Sequence, residues 1–365
     1  MAVNNTTIEI QEGELEVAAR RYSRTLRSIP MIAMQDTLKY VTVVPGIQGD
    51  LVLSNIHAEA HWAPYRQNDD EQSKINLFPR TLTTRLSSLE ISFDPNQVAA
   101  KLMEVRPNIG DGQAQTPLAA RVLMEVQRTA GENMNAVLFS AKYNPVGKTE
   151  AACFDGWDTV GEKEIQKGTV SAAKGNYLDL GAYTLDQNNT FDAINYIYAS
   201  CSPKLKGYAN PNRPIFIFCS PDVQTYYNMG MKEYLGAIQY NKQWNQPTVL
   251  GSNGKAILVP IIAKADSQFI QVTPKSNILF GTDKLNDMNS YKVKVPKLWD
   301  VLAGGTMWSG CQFESIDKAD LLIAKIGGVA VPINPFTGGN ASSGGSNAET
   351  PGTSSDETSD AGLGS

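Results

Sequence analysis

Histidine is almost absent from this chain: His57 and His61, four positions apart, are the only two among 365 residues. Imidazole is thus unavailable as a general base elsewhere, and Ser–His or Cys–His chemistry is not expected. Cysteine is sparse too. Cys153, Cys201, Cys219 and Cys311 are scattered, with no C-x-x-C spacing for a metal or redox pair. They read as free, mostly buried thiols of a reducing cytoplasm. No apolar run reaches the length of a membrane span; the strongest, residues 256–263, is interrupted by Pro260. Residues 1–13 contain neither a basic region nor an apolar segment, so no secretory signal is expected.

Catalytic motifs are missing as well. There is no G-x-S-x-G elbow, no H-E-x-x-H and no G-x-G-x-x-G. Gly147-Lys148-Thr149 ends like a phosphate loop. The required earlier glycine is replaced by Lys142, however, and a helix instead of a strand precedes it, so it reads as a polar turn. The histidine pair flanks Glu59 in the wrong position for a zincin, and the stretch reads as strand. Residues four apart on a strand lie about 13 Å apart, too far to share one zinc. Asp69-Asp70 lies in a solvated tip. Asn340-Ala341-Ser342 fits a glycosylation sequon but has no meaning without a secretory signal. Tyr226, Tyr227 and Tyr234 read as core. No catalytic, metal-binding or cofactor-binding residue is expected, and no cofactor.

The formal charge of −5 is unevenly distributed. Residues 338–365 carry Glu349, Asp356, Glu357 and Asp360 and no Lys or Arg; the remainder has 32 basic against 33 acidic residues. A body so balanced does not bind nucleic acid by bulk charge.

What the chain does have is an extended arm followed by a long helix. Residues 9–28 form an amphipathic helical pattern ending before Ile29-Pro30, and residues 37–44 read as a strand. Residues 46–94 read as two polar strands around a charged tip, Asn68-Asp69-Asp70-Glu71. Leu89, Ile91 and Phe93 form a period-2 return strand. A free two-stranded ribbon is marginal in water, so the arm needs a neighbouring subunit. Thr116-Pro117 is a helix start, and Leu123, Val126, Ala130, Met134, Val137 and Ala141 follow at helical spacing. The pattern predicts a helix over 117–143, weakened at Gly131 by about 1 kcal/mol.

Residues 144–181 are rich in glycine and polar residues, with Phe154 and Trp157 as anchors. An α/β segment follows: a helix over 191–199, a buried strand over 214–219, and a helix capped by Ser220-Pro221 to about Tyr234. Strands are expected over 255–262, 268–273, 291–295 and 320–326. The Gly/Ser/Thr/Asn-rich remainder, from about Phe336, is not expected to fold.

This order of elements resembles the major capsid protein of tailed bacteriophages, the Hong Kong 97 fold family. The resemblance covers roughly residues 30–327. It rests on residues 82–95 leading into the long helix, on the strand followed by Ser220-Pro221, and on the segment from Thr273-Pro274 to Thr282-Asp283.

The resemblance implies an α+β fold: an N-terminal arm (1–36) and a strand with an extended hairpin loop (37–94). A peripheral domain with the spine helix (95–183), an axial α/β domain (184–288) and closing peripheral strands (289–327) follow, then an unfolded acidic tail (328–365). It implies a non-catalytic subunit that self-assembles, as hexamers and pentamers, into an icosahedral head around double-stranded DNA. Trp62, Tyr65, Lys74 and Phe78 on the extended loop are the implied contacts between subunits. Only some 30 residues precede the first strand, which implies a separate scaffolding protein; a portal and a decoration protein are further implied partners. No membrane is involved. The implied location is the virion, assembled in the cytoplasm of a host bacterium. Some members cross-link Lys to Asn; Lys74 lies in a suitable region, where a lysine is ordinarily a solubilising charge. Two other readings stand beside this one: an encapsulin-like compartment shell, and an enzyme whose α/β segment binds a ligand.

Overall fold

The computed structural model describes residues 21–59, 74–94, 118–207, 213–235, 248–283, 290–297 and 300–330. Helix α1 (Ser23–Ala33), the single turn α2 (Gln35–Leu38), and strands β1 (Thr42–Val44), β2 (Asp50–Glu59), β3 (Lys74–Thr83) and β4 (Arg85–Phe93) come first. Helix α3 (Leu118–Val137), helix α4 (Trp157–Gln166), strand β5 (Tyr177–Leu185), helix α5 (Thr190–Ser200), strand β6 (Ile215–Cys219) and helix α6 (Pro221–Leu235) follow. Strands β7 (Ala256–Pro260), β8 (Phe269–Pro274), β9 (Ile278–Thr282), β10 (Ser290–Lys297), β11 (Asp300–Phe313) and β12 (Leu322–Val329) complete an α+β architecture.

The first sheet is built around β11. β4 runs antiparallel along one edge of it, from Phe93↔Val301 to Arg85↔Ser309. β10 and then β9 run antiparallel along the other, and β1 adds to β9 in parallel. The pattern of glycine and polar residues over 300–313 hides this strand from a sequence reading. Its glycines are required by close approach: a Cβ at Gly310 would sit 2.2 Å from the Thr83 carbonyl oxygen, and one at Gly304 2.8 Å from that of Leu89. On β4, Leu89, Ile91 and Phe93 are half-buried between exposed neighbours, the expected alternation.

The second sheet has the order β5-β12-β8-β6-β7. β6 is buried at every position, because its two faces supply two cores. Phe216 and Phe218 pack with Phe139, Trp157 and Phe280, whereas Ile215, Ile217 and Cys219 pack with Phe191, Ile194 and Tyr227 from α5 and α6. Ser220 caps α6 as expected, its hydroxyl accepting from the Val223 N–H at 3.3 Å. Tyr226 and Tyr227 are buried; Tyr234 is exposed and stacks on Phe191.

Several expectations are corrected. Residues 35–38 form a helical turn and only 42–44 pair as strand. The first helix does not stop before Pro30 but runs through it to Ala33, with the Pro30 ring buried. The long helix ends at Val137, not 143. There Phe139 turns into the aromatic core, and the Phe139 and Ala141 carbonyls accept from Asp158 and Gly156. Helix α4 and strand β5 lie in a stretch read as irregular. The strand expected over 320–326 runs Leu322–Val329 as β12 and pairs with β5 and β8 in the second sheet. The expectations for residues 9–20, the Thr116-Pro117 start and the tail from 331 fall outside the described residues.

Helix α1 crosses α3 at Gly131, where a Cβ would lie 2.7 Å from both the Cα and the carbonyl oxygen of Pro30. The glycine that weakens the helix in isolation is what lets α1 seat. One turn away, Gln127 is fully buried and neither its Oε1 nor its Nε2 has a partner among the described residues.

Candidate assembly arm and its root

β2 and β3 form a sheet of their own, two strands in continuous antiparallel register from Asp50↔Thr83 to Glu59↔Lys74. Ten paired positions give a ribbon roughly 30 Å long at about 3.3 Å per residue. No third strand pairs with it among the described residues.

The root of this ribbon, by contrast, is tightly held. Leu82 and Thr84 are buried. The Thr84 N–H and hydroxyl both donate to the Gly49 carbonyl, at 2.8 and 2.9 Å, and fix the two strands where they leave the body. The Gly46 and Ile47 N–H groups donate to the Asp283 and Thr282 carbonyls. Gly281 lies beneath, where a Cβ would meet Thr84 Cγ2 at 2.8 Å.

Arg80 is the main polar clamp. Its Nε donates to the Phe313 carbonyl at 2.9 Å, and one terminal nitrogen donates to Gln312 Oε1 at 2.9 Å and Glu164 Oε1 at 3.2 Å. Gln312 Nε2 returns a bond to the Thr81 carbonyl at 2.8 Å. Burial pushes the Glu164 carboxyl up, but the Thr169 hydroxyl, Arg80 and Lys167 outweigh it and hold the group below the ordinary glutamate range. The clamp therefore ties β3, α4 and β11 together.

Of the four expected contact residues, Lys74 and Phe78 fall on β3, opposite Glu59 and Asn55 in register. Trp62 and Tyr65 lie outside the described residues. His57 is on β2, as the strand reading required, and His61 lies outside the described residues. Sequence reasoning missed Arg80, Glu164 and Gln312 as the root. They lie as far as 232 positions apart and no local pattern joins them.

A cleft of about 530 Å³ lies between β4, α3 and the 143–153 segment, lined by Leu86, Tyr143, Met134, Cys153 and Met307. Burial pushes the Cys153 thiol up, with Glu150 adding to the effect, which leaves it a poor nucleophile at neutral pH. Burial likewise pushes Cys201 and Cys219 up to about 12. Among the described residues no three His, Cys, Asp or Glu side chains gather as a metal site, and no helix is long and apolar enough to cross a membrane.

A second, more deeply buried ion pair is structural. Lys264 is inaccessible, donating to Asp158 Oδ1 at 2.8 Å and the Phe269 carbonyl at 2.7 Å, over the Phe139 ring. Ser267 and Gln271 also donate to Asp158. Burial drives the Lys264 pKa down and Asp158 opposes it, so the network binds α4 to the second sheet.

No protein-family model and no curated protein matches this chain. Solved structures do resemble it. The satellite phage P4 procapsid including its size determination protein is 11% identical, covering 82% of this chain and 90% of that one, with a TM-score of 0.49. The capsid of Myoviridae phage XM1 is 11% identical, covering 80% and 91%, with a TM-score of 0.47. A virus-like particle from Pyrococcus furiosus is 9% identical, covering 82% and 98%, with a TM-score of 0.41.

Proposed function

We propose that this chain is the major capsid protein of a tailed double-stranded DNA bacteriophage, a non-catalytic subunit of a closed shell. The observation that carries the proposal is the ribbon β2–β3: ten paired positions, a clamped root, and no third strand among the described residues. An isolated two-stranded ribbon is marginally stable in water, whereas a ribbon laid on another copy completes that copy's surface. A root of this rigidity aims the arm instead of letting it collapse onto its own body.

In this reading the first sheet and α3 form the peripheral domain, and the second sheet with α5 and α6 forms the axial domain around five- and six-fold axes. Residues Trp62, Tyr65, Lys74 and Phe78 contact the neighbouring subunit. A separate scaffolding protein, a portal and a decoration protein complete the head, which assembles in the host cytoplasm and becomes the virion.

The test is negative-stain electron microscopy of the purified chain, expressed alone and with its neighbouring genes. Uniform closed shells, or rings of five and six, are expected. Their contents then separate a DNA-filled head from a cargo-filled compartment. A monomer or small oligomer under both conditions overturns the proposal.

A further inference from the structure

The body is nearly neutral overall, yet its second sheet is electrically polar. β5, β12, β6 and β7 all begin at one end of that sheet, where β8 finishes. The turns at that end bring together Lys174, Lys204, Lys206, Lys255, Lys275 and Lys318, with Arg213. The structure joins them physically. The Ser202 hydroxyl donates to the Lys318 carbonyl at 2.7 Å, and a Cβ on Gly175 would be 3.8 Å from Lys318 Cδ. Lys255 Nζ reaches the Gly207 carbonyl at 3.3 Å, and Asn277 bonds the Asp320 carbonyl at 3.1 Å.

Little of this charge is cancelled. Against seven basic side chains stand Glu314, Asp317 and Asp320, a surplus of four, and Asp320 is already paired with Arg213 at 2.8 Å. Lys174, Lys206 and Lys255 donate to backbone carbonyls, which are neutral acceptors and leave the positive charge standing. Lys174, Lys204, Lys275 and Lys318 are exposed.

The opposite end of the sheet carries Asp186, Asp192, Asp222 and Asp266, but it does not form an equal counterpart. Asp192 and Asp222 occupy the first turns of α5 and α6, where they answer the helix dipoles. At the basic end, Lys206 meets the last turn of α5 in the same way, and the other lysines exceed any such need.

We infer that this rim holds the phosphate backbone of double-stranded DNA, an inference that rests on the shell reading above. Five strands at about 4.8 Å spacing make an edge roughly 20 Å wide. A duplex presents one phosphate per roughly 1.7 Å of axis, so about a dozen phosphates pass such an edge. Backbone contacts of this kind need no base recognition, which suits a wall facing any sequence.

The test uses the full-length subunit at concentrations below assembly, with a fluorescent duplex of about 30 base pairs titrated at several salt concentrations. The triple variant Lys174→Gln, Lys204→Gln, Lys318→Gln is compared with the unaltered chain. Its salt slope should fall by about 2 to 3, and its affinity roughly tenfold or more. Equal slope and affinity in the two proteins overturns the inference. A second variant neutralises the acidic tail (Glu349→Gln, Asp356→Asn, Glu357→Gln, Asp360→Asn). If only that variant binds DNA, through the same lysines, the tail is the rim's occupant and the DNA assignment is overturned. Electron microscopy of the same proteins at assembling concentration, alone and with the neighbouring gene products, separates the two claims. Shells with no lysine-dependent binding defeat the rim alone, and lysine-dependent binding without shells defeats the shell reading.

Discussion

Replacing Gly131 with alanine sets two effects of known size against each other. In an isolated helix the change gains about 1 kcal/mol, because glycine loses the most backbone freedom. In this fold the new Cβ would sit 2.7 Å from Pro30 Cα, 2.7 Å from the Pro30 oxygen and 2.8 Å from Ala33 Cβ. Two of those atoms are backbone and cannot rotate away, so α1 must lift from α3. Overpacking of that kind costs about 1–3 kcal/mol, and three contacts this short point to the upper half of that range. The expected net result is a loss of about 1–2 kcal/mol, from the difference of the two terms. Urea unfolding reads it, with the protein kept dilute, because any self-association would stabilise the folded state by mass action. Thr129→Ala, two positions away on the exposed face, is the control and should gain up to about 0.7 kcal/mol. A Gly131→Ala protein stabilised by as much as or more than the control would refute the close crossing.

Arg80→Ala should cost about 2–3 kcal/mol in the same assay, because it removes a donor from Glu164, Gln312 and the Phe313 carbonyl at once; Arg80→Lys should recover part of it. Glu164 has a depressed folded pKa, so its contribution is fully present above the ordinary glutamate value of 4.5 and is lost as pH falls through the lower folded value. Glu164→Gln should therefore flatten the acid limb of a stability–pH profile below that value, and an unchanged limb would remove Glu164 from the clamp. Lys264→Met leaves Asp158 buried and unpaired and should cost about 3–5 kcal/mol, while adding Asp158→Asn should restore much of the loss; additive losses would contradict the pairing. Gln127→Met should stabilise by about 1 kcal/mol, since no partner is lost with the amide; destabilisation in urea would reveal a bond absent from this structure.

The sequence disclosed elements whose cause is local. Ile215-Phe216-Ile217-Phe218 is an apolar run too short for a buried helix, and Ser220-Pro221 is a cap, so β6 and α6 were legible. The ribbon was legible through its polar alternation around a charged tip. β11 was not, because Gly304, Gly305 and Gly310 look like chain breakers and become necessary only once Leu89 and Thr83 lie against them. α4 was hidden by Gly161 and by buried Asp158 and Glu164, whose partners come from β3, β8 and the 262–264 turn. The root of the arm was illegible for the same reason: Arg80 finds Gln312 and Phe313 across more than two hundred residues. The rim is a property of which strand ends share an edge, so bulk charge concealed it.

The central place of β11 in the first sheet has a consequence for the order of events on the ribosome. β1 waits for β9, and β4 for β11, before either can pair; Thr42 and Leu279, or Phe93 and Val301, are more than two hundred residues apart. Such separations make for slow folding. The Arg80 clamp likewise cannot close until Gln312 and Phe313 have been synthesised. A nascent chain can thus make its hairpin early but cannot aim it. The root of the arm can close only once residue 313 has emerged, so the ribbon stays unaimed through more than two hundred residues of synthesis after it is made.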